Sequence, residues 1–78
     1  MEGCHTIRTA IELGELIRLR RRELGLTLQR ASSLAGVGSR FLSELERGKP
    51  TVELEKTLTV LQLLGLEIQI GPREGRKT

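Results

Sequence analysis

The sequence predicts an all-α domain: four short helices, followed by a single β-strand that pairs across a homodimer. Three observations predict it. Aromatic residues are nearly absent, with Phe41 alone, so the core must be aliphatic, mostly Leu and Ile. Those residues recur at helical three- and four-residue spacings along most of the chain. The stretch Thr27–Gly48, TLQRASSLAGVGSRFLSELERG, then reads as two short helices around a glycine-containing turn.

At 78 residues the chain is one small domain, near the size at which a single core is barely self-sufficient. A subunit of this kind gains from a partner. Thirteen Lys and Arg against ten Asp and Glu give a net charge of +3, an excess compatible with a nucleic-acid partner. Cys4 is the single cysteine, so no intramolecular disulfide forms, and Cys4 beside His5 lacks the ligand number and spacing of a zinc site. No cofactor or metal is expected. No apolar run approaches 20 residues and no signal-peptide pattern is present, so a soluble, cytoplasmic protein is expected.

The elements follow in order. Residues 1–8 carry no periodicity and are expected to be loosely held. Thr9-Ala-Ile-Glu12 has the form of a capping box and starts a helix from about Ala10 to Leu24, ended by Gly25. Leu13, Leu16, Ile17 and Leu24 share one face of that helix, and Arg18, Arg20, Arg21 and Arg22 crowd its second half, where cations suit the helix dipole. Thr27 is an N-cap for a second helix reaching about Ala35, with Gly36 ending it and Val37 turned inward. A third helix runs from about Ser39 to Glu46 and stops at Gly48. After Lys49-Pro50, Thr51 is a further N-cap candidate for a helix from about Val52 to Leu64, with Leu54, Leu58, Leu61 and Leu64 facing the core and Gly65 closing it. Leu66-Glu-Ile-Gln-Ile70 alternates apolar and polar residues, the pattern of a strand with one buried face. Gly71-Pro72 ends it, and residues 72–78 form a basic tail expected to be disordered.

That strand needs a partner for its backbone N–H and C=O groups, and no second convincing strand exists in the chain. The economical partner is the same strand of another subunit, antiparallel about a twofold axis, with Leu66, Ile68 and Ile70 at the interface. An extended tail packed on its own helices is the other reading. The two helices around Gly36 likewise leave two readings. They are a helix-turn-helix whose second helix enters the DNA major groove, or a plain hairpin in a bundle.

GLT at Gly25–Thr27, AGV at Ala35–Val37 and SELERGK at Ser43–Lys49 resemble the lambda-repressor-like (Xre/Cro) family of helix-turn-helix regulators, in the right order and spacing. The resemblance covers roughly Leu13 to Leu64. It implies a four-helix DNA-binding domain, residues 9–65, followed here by a dimerisation strand, residues 66–71, in place of the family's usual fifth helix. This layout resembles the HipB-type antitoxin branch, whose members pair with HipA-type serine/threonine kinase toxins and repress their own operons. The resemblance implies base contacts from Gly38, Ser39, Arg40, Ser43 and Glu44 to double-stranded operator DNA. Arg40 is the strongest of these, able to donate two bonds to guanine. It implies phosphate contacts from Thr27, Gln29, Arg47 and Lys49, and an ion pair of Arg21 with Glu46 tying the first helix to the third. Leu42 and Leu45 should point inward. Leu28, Gly38 and Ala31-Ser32 depart from the family pattern, which implies weaker or altered DNA binding and a less full core beneath the turn.

An enzyme is not expected, because the one His lies in the N-terminal segment without an orienting partner and no metal or phosphate-loop pattern occurs. The reading that competes with DNA recognition is a protein-interaction module, or an antitoxin that binds its partner without recognising an operator.

Overall fold

The computed structural model describes residues 3–73. Residues 1–2 and 74–78, the outer parts of the two expected loose termini, lie outside the described residues. Thr9 opens the first helix. Its Oγ1 accepts from the Glu12 N–H at 3.1 Å, while Glu12 Oε1 accepts from the N–H groups of Thr9 (3.1 Å) and Arg8 (2.6 Å). This reciprocal capping box satisfies orphan donors of α1 (Ala10–Glu23). Thr27 caps α2 (Leu28–Ala35) in the same way, accepting from the Arg30 N–H at 3.0 Å. The third helix, α3 (Ser39–Glu46), and the fourth, α4 (Leu54–Leu63), start without a side-chain cap.

All four helices end alike. Gly25, Gly36, Gly48 and Gly65 each take a positive φ, and the next residue donates its N–H back to a carbonyl five residues earlier. This is the Schellman closure, which only glycine enters without strain. Leu26, Val37 and Leu66 follow the first, second and fourth glycines and pack on the core. Lys49 follows the third.

Ile17, Ala31, Leu42, Leu45, Val60, Leu61 and Leu64 form the buried core, bringing α1 against α3 and α2 against both α3 and α4. Ala31 and Ser32 are both buried, with Ser32 Oγ donating to the Gln29 carbonyl at 3.0 Å. Among the described residues no buried side-chain N or O lacks a partner. The tightest contact is between α1 and α3. A Cβ placed on Gly14 would strike the carbonyl oxygen of Leu45 and lie 2.7 Å from that of Glu46. Only a bare backbone lets the helices come this close.

The structure corrects three expectations. The fourth helix begins at Leu54 with Glu53 as its N-cap, two residues beyond the expected start, and Thr51 stays exposed in the preceding loop. The buried face is Thr57, Val60, Leu61 and Leu64, while Leu54 is 68% exposed and Leu58 lies at the surface. Thr57 can be buried because its hydroxyl donates to the Glu53 carbonyl at 2.8 Å. On α1, Leu24 is the C-cap and is exposed, since the chain turns away there towards Gly25. The expected strand is absent among the described residues. Leu66–Ile70 forms no ladder, for a ladder needs a neighbouring backbone and a single chain offers none. Leu66 packs on the core, Ile68 is half exposed and Ile70 is 94% exposed.

The Gly14 contact makes a clear prediction. Helix propensity alone would have Gly14→Ala stabilise α1 by roughly 1 kcal/mol. The steric conflict with backbone atoms should reverse the sign and cost about 1–3 kcal/mol or more. Chemical denaturation measures the difference, and a raised midpoint would show that the helices separate freely.

Candidate nucleic-acid interface

The candidate interface is centred on α3, whose end is tied to α1 by an ion pair. Arg21 Nε donates to Glu46 Oε2 at 2.6 Å and Arg21 Nη2 donates to Glu46 Oε1 at 2.9 Å. The third guanidinium nitrogen, Nη1, donates to the Leu26 carbonyl at 2.8 Å. One side chain of α1 therefore fixes the end of α3 and the loop into α2. The side chains are only 11% and 6% exposed. The Glu46 hydrogen bond pushes the Arg21 pKa up, against the opposing pull of burial.

With Leu42, Leu45 and Glu46 buried and Phe41 packed against the core, Ser39, Arg40, Ser43 and Glu44 make up the outer face of α3. Gly38 is the N-cap and supplies no side-chain bond, so the first N–H groups of α3 stay open. Ser39 and Arg40 are exposed, and Ser43 and Glu44 are partly covered. The Glu44 carboxylate joins two cations: Oε2 lies 3.4 Å from Arg40 Nε and Oε1 lies 3.2 Å from Lys49 Nζ. Lys49 holds the Glu44 carboxyl below the usual carboxylate range, by hydrogen bond and charge, with Arg40 adding to the effect and burial opposing it.

The residues expected at phosphates sit around this face. Thr27 and Gln29 are exposed at the start of α2, where they bond within their own helix, and no acidic residue stands in its first turn. Arg47 and Lys49 are exposed just past α3. The structure thus brings together Arg21 with Glu46, and Arg40 with Glu44 and Lys49. Leu66 and Ile68 lie apart, beside α4, where they line a groove with Leu58, Leu61, Gln62 and Glu67, and Ile70 is exposed.

Two contacts escaped the sequence reading. The Glu44 link was hidden because Arg40 and Glu44 look like any helical i, i+4 pair, and Lys49 joins only once the glycine turn folds it back. Arg20, one of the arginines whose crowding suits the helix dipole, also donates its Nε to the Leu64 carbonyl at 2.9 Å, capping the end of α4. Nothing in the local pattern distinguishes it from Arg18 or Arg22. Among the described residues no group of three or more His, Cys, Asp or Glu could hold a metal ion, and no helix is long and apolar enough to cross a membrane.

Residues 12–69 match the helix-turn-helix domain family. The chain is 46% identical over 72 residues to an uncharacterized HTH-type transcriptional regulator, y4mF, of Sinorhizobium fredii (strain NBRC 101917 / NGR234), a match covering 91% of this chain and 95% of that protein. The chain belongs to the helix-turn-helix family of transcriptional regulators. That family is one of regulators rather than enzymes, of the Xre type. Among solved structures, a chain of the HipA–HipB–O2–O3 complex superimposes with a TM-score of 0.82 at 20% identity, covering 91% of this chain and all of that one. A chain of the HipB–O4 20mer complex does so equally well, at the same identity and coverage. The clp gene regulator ClgR from C. glutamicum matches with a TM-score of 0.69 at 30% identity over 85% of each chain. At 20% identity the HipB likeness establishes the four-helix, lambda-repressor-like fold alone.

The Arg21–Glu46 pair ties the end of α3 to α1. Glu46→Ala would leave the guanidinium buried without its counter-charge, and should lower stability by roughly 3–5 kcal/mol. Urea unfolding followed by circular dichroism measures this. An unchanged midpoint would show that the pair contributes nothing.

Proposed function

We propose that the chain is a sequence-specific DNA-binding repressor that acts as a homodimer on an inverted-repeat operator. The observation that carries this reading is the two-sided character of α3. Leu42, Leu45 and Glu46 anchor it, while Ser39, Arg40, Ser43 and Glu44 line an outer face free of large apolar side chains. Seated in the major groove, Gly38 lets the backbone approach closely, Ser39 and Ser43 exchange hydrogen bonds with base edges or phosphates, and Arg40 reads guanine. Glu44 lies beside them on the same face, next to Arg40. Thr27 and Gln29, with the amides at the start of α2, meet phosphates on one flank, and Arg47 and Lys49 on the other.

The division of labour is separable by experiment. Arg40→Ala should cost roughly 1–3 kcal/mol on the operator and relax the preference at one base pair per half-site. Lys49→Ala should weaken operator and scrambled duplexes alike and make the salt dependence shallower. Fluorescence titrations of both variants, at several salt concentrations, against DNA from upstream of the chain's own gene provide the comparison. A wild type that ignores that sequence would favour the protein-interaction module.

In the same reading, residues 9–65 carry the DNA-binding unit and residues 66–71 form the dimer seam. Leu54 and Leu58 on α4, with Ile68 and Ile70, are apolar and exposed in the single chain, and among the described residues the segment after Leu66 forms no ladder. Pairing with the same segment of a second copy covers the first and satisfies the second. The twofold then places two α3 helices for adjacent major grooves about 34 Å apart. The match in fold to chains of HipA–HipB and HipB–operator complexes supports a finer version. In it the chain is the antitoxin partner of a HipA-type serine/threonine kinase and represses the operon that encodes both.

The seam has its own test. Ile68 and Ile70 are exposed and not needed by the single-chain core, so replacing both with Lys should keep the helical circular-dichroism signal while sedimentation shifts from dimer to monomer. A dimer that persists places the interface elsewhere.

A further inference from the structure

We infer that Glu44 is a specificity-determining positioning residue, which aims Arg40 at a base and restrains Arg40 and Lys49 from indiscriminate phosphate binding. This rests on the DNA-reading function proposed above. The first observation is the end of α3. At the ends of α1, α2 and α4 the residue after the Schellman glycine is apolar and packs on the core: Leu26, Val37 and Leu66. The usual accompaniment of this turn is such an apolar contact. At the end of α3 that position is Lys49. Its N–H donates to the Glu44 carbonyl at 3.1 Å, and its Nζ lies 3.2 Å from the carboxylate of the same residue. An outward ion pair thus stands where the other helix ends carry buried packing. Lys49 is fixed twice by Glu44, once through the backbone and once through the side chain.

The second observation concerns which part of Arg40 is engaged. Glu44 Oε2 lies 3.4 Å from Arg40 Nε, while the Arg40 side chain as a whole is 91% exposed. A guanidinium has two donor edges, and occupying Nε leaves the Nη1/Nη2 edge free. That edge can supply the parallel pair of donors that guanine O6 and N7 accept. The ion pair therefore leaves Arg40 competent to read and limits its alternatives. Glu44 itself, with each oxygen already beside a cation and its side chain 21% exposed, is better placed to orient Arg40 than to accept from a base.

The electrostatic consequence concerns any DNA sequence. Phosphates attract cations wherever they lie, and affinity without specificity grows with the number of charges free to neutralise them. Glu44 reduces the local charge of the Arg40–Glu44–Lys49 group from +2 to +1. Removing its charge should strengthen binding to all DNA and weaken discrimination between sequences.

The test uses Glu44→Gln, an isosteric change at the surface, in the full chain. The probes are a duplex selected by the wild type from a random library and a scrambled duplex of equal length and composition. Expected for the variant is binding to the scrambled duplex tighter by roughly three- to tenfold, with the log-affinity against log-salt slope steeper by about 0.9. Affinity for the selected duplex should gain less, so the ratio between the two falls. In an Arg40→Ala background, Glu44→Gln should still tighten both through Lys49 but no longer change the ratio. Unchanged affinities and slope would overturn the inference. So would a loss confined to the selected duplex with a new preference at one base pair, which would make Glu44 a direct base contact. If the wild type selects no sequence, the DNA-reading function itself fails, an outcome distinct from either.

Discussion

The Arg21–Glu46 pair is the interaction on which the rest of the arrangement depends. Each of the three nitrogens of one guanidinium has an acceptor, on α3 and on the loop between α1 and α2. Burying two charges is unfavourable unless geometry and hydrogen bonding are nearly complete, and here they are. The pair needs its neighbours as much as they need it. Glu46 reaches Arg21 because α1 and α3 touch backbone to backbone at Gly14, and that approach is possible because no side chain intervenes. A small aliphatic core with one aromatic ring gives few directional contacts of its own. The ion pair supplies direction. It ties the end of α3 to α1 at one defined place.

Much of this was legible in the residues. The capping box at Thr9 and Glu12, the N-cap at Thr27, and glycines placed after the last periodic residue fix helix ends by local chemistry, and local chemistry is what a sequence displays. The second and third helices have the bounds their capping and turn residues suggest, Leu28–Ala35 and Ser39–Glu46. The family likeness read from the GLT, AGV and SELERGK fragments agrees with the match over residues 12–69.

What was not legible depends on contacts distant in the chain or on partners outside it. Thr51 looks as good a cap as Thr27, yet the chain does not turn helical until Leu54, and Thr57 and Val60 rather than Leu54 and Leu58 lie on the buried face. Periodicity sets the spacing of an apolar face but leaves its phase to packing. Arg20 and Arg21 are neighbours of the same type with different partners, Leu64 and Glu46, which only the fold brings near. The Leu66–Ile70 alternation describes a backbone suited to pairing; whether a ladder forms depends on a second backbone, about which one chain is silent.

The adjacency of Arg20 and Arg21 has a consequence for how such a regulator can diversify. Arg21 orients the helix proposed to lie on DNA, and Arg20 grips the Leu64 carbonyl where the chain leaves α4 towards its C-terminal segment. Two consecutive side chains of one helix thus contact the ends of two others, α4 and α3. If two copies join through the C-terminal segment as proposed, α1 is the helix that contacts both the end leading to that segment and α3. A small rotation of α1 would retune the phase between half-sites, as moving a fulcrum changes a balance, while leaving every base-facing and seam-forming residue as it is. Operator spacing would then be heritable separately from operator sequence.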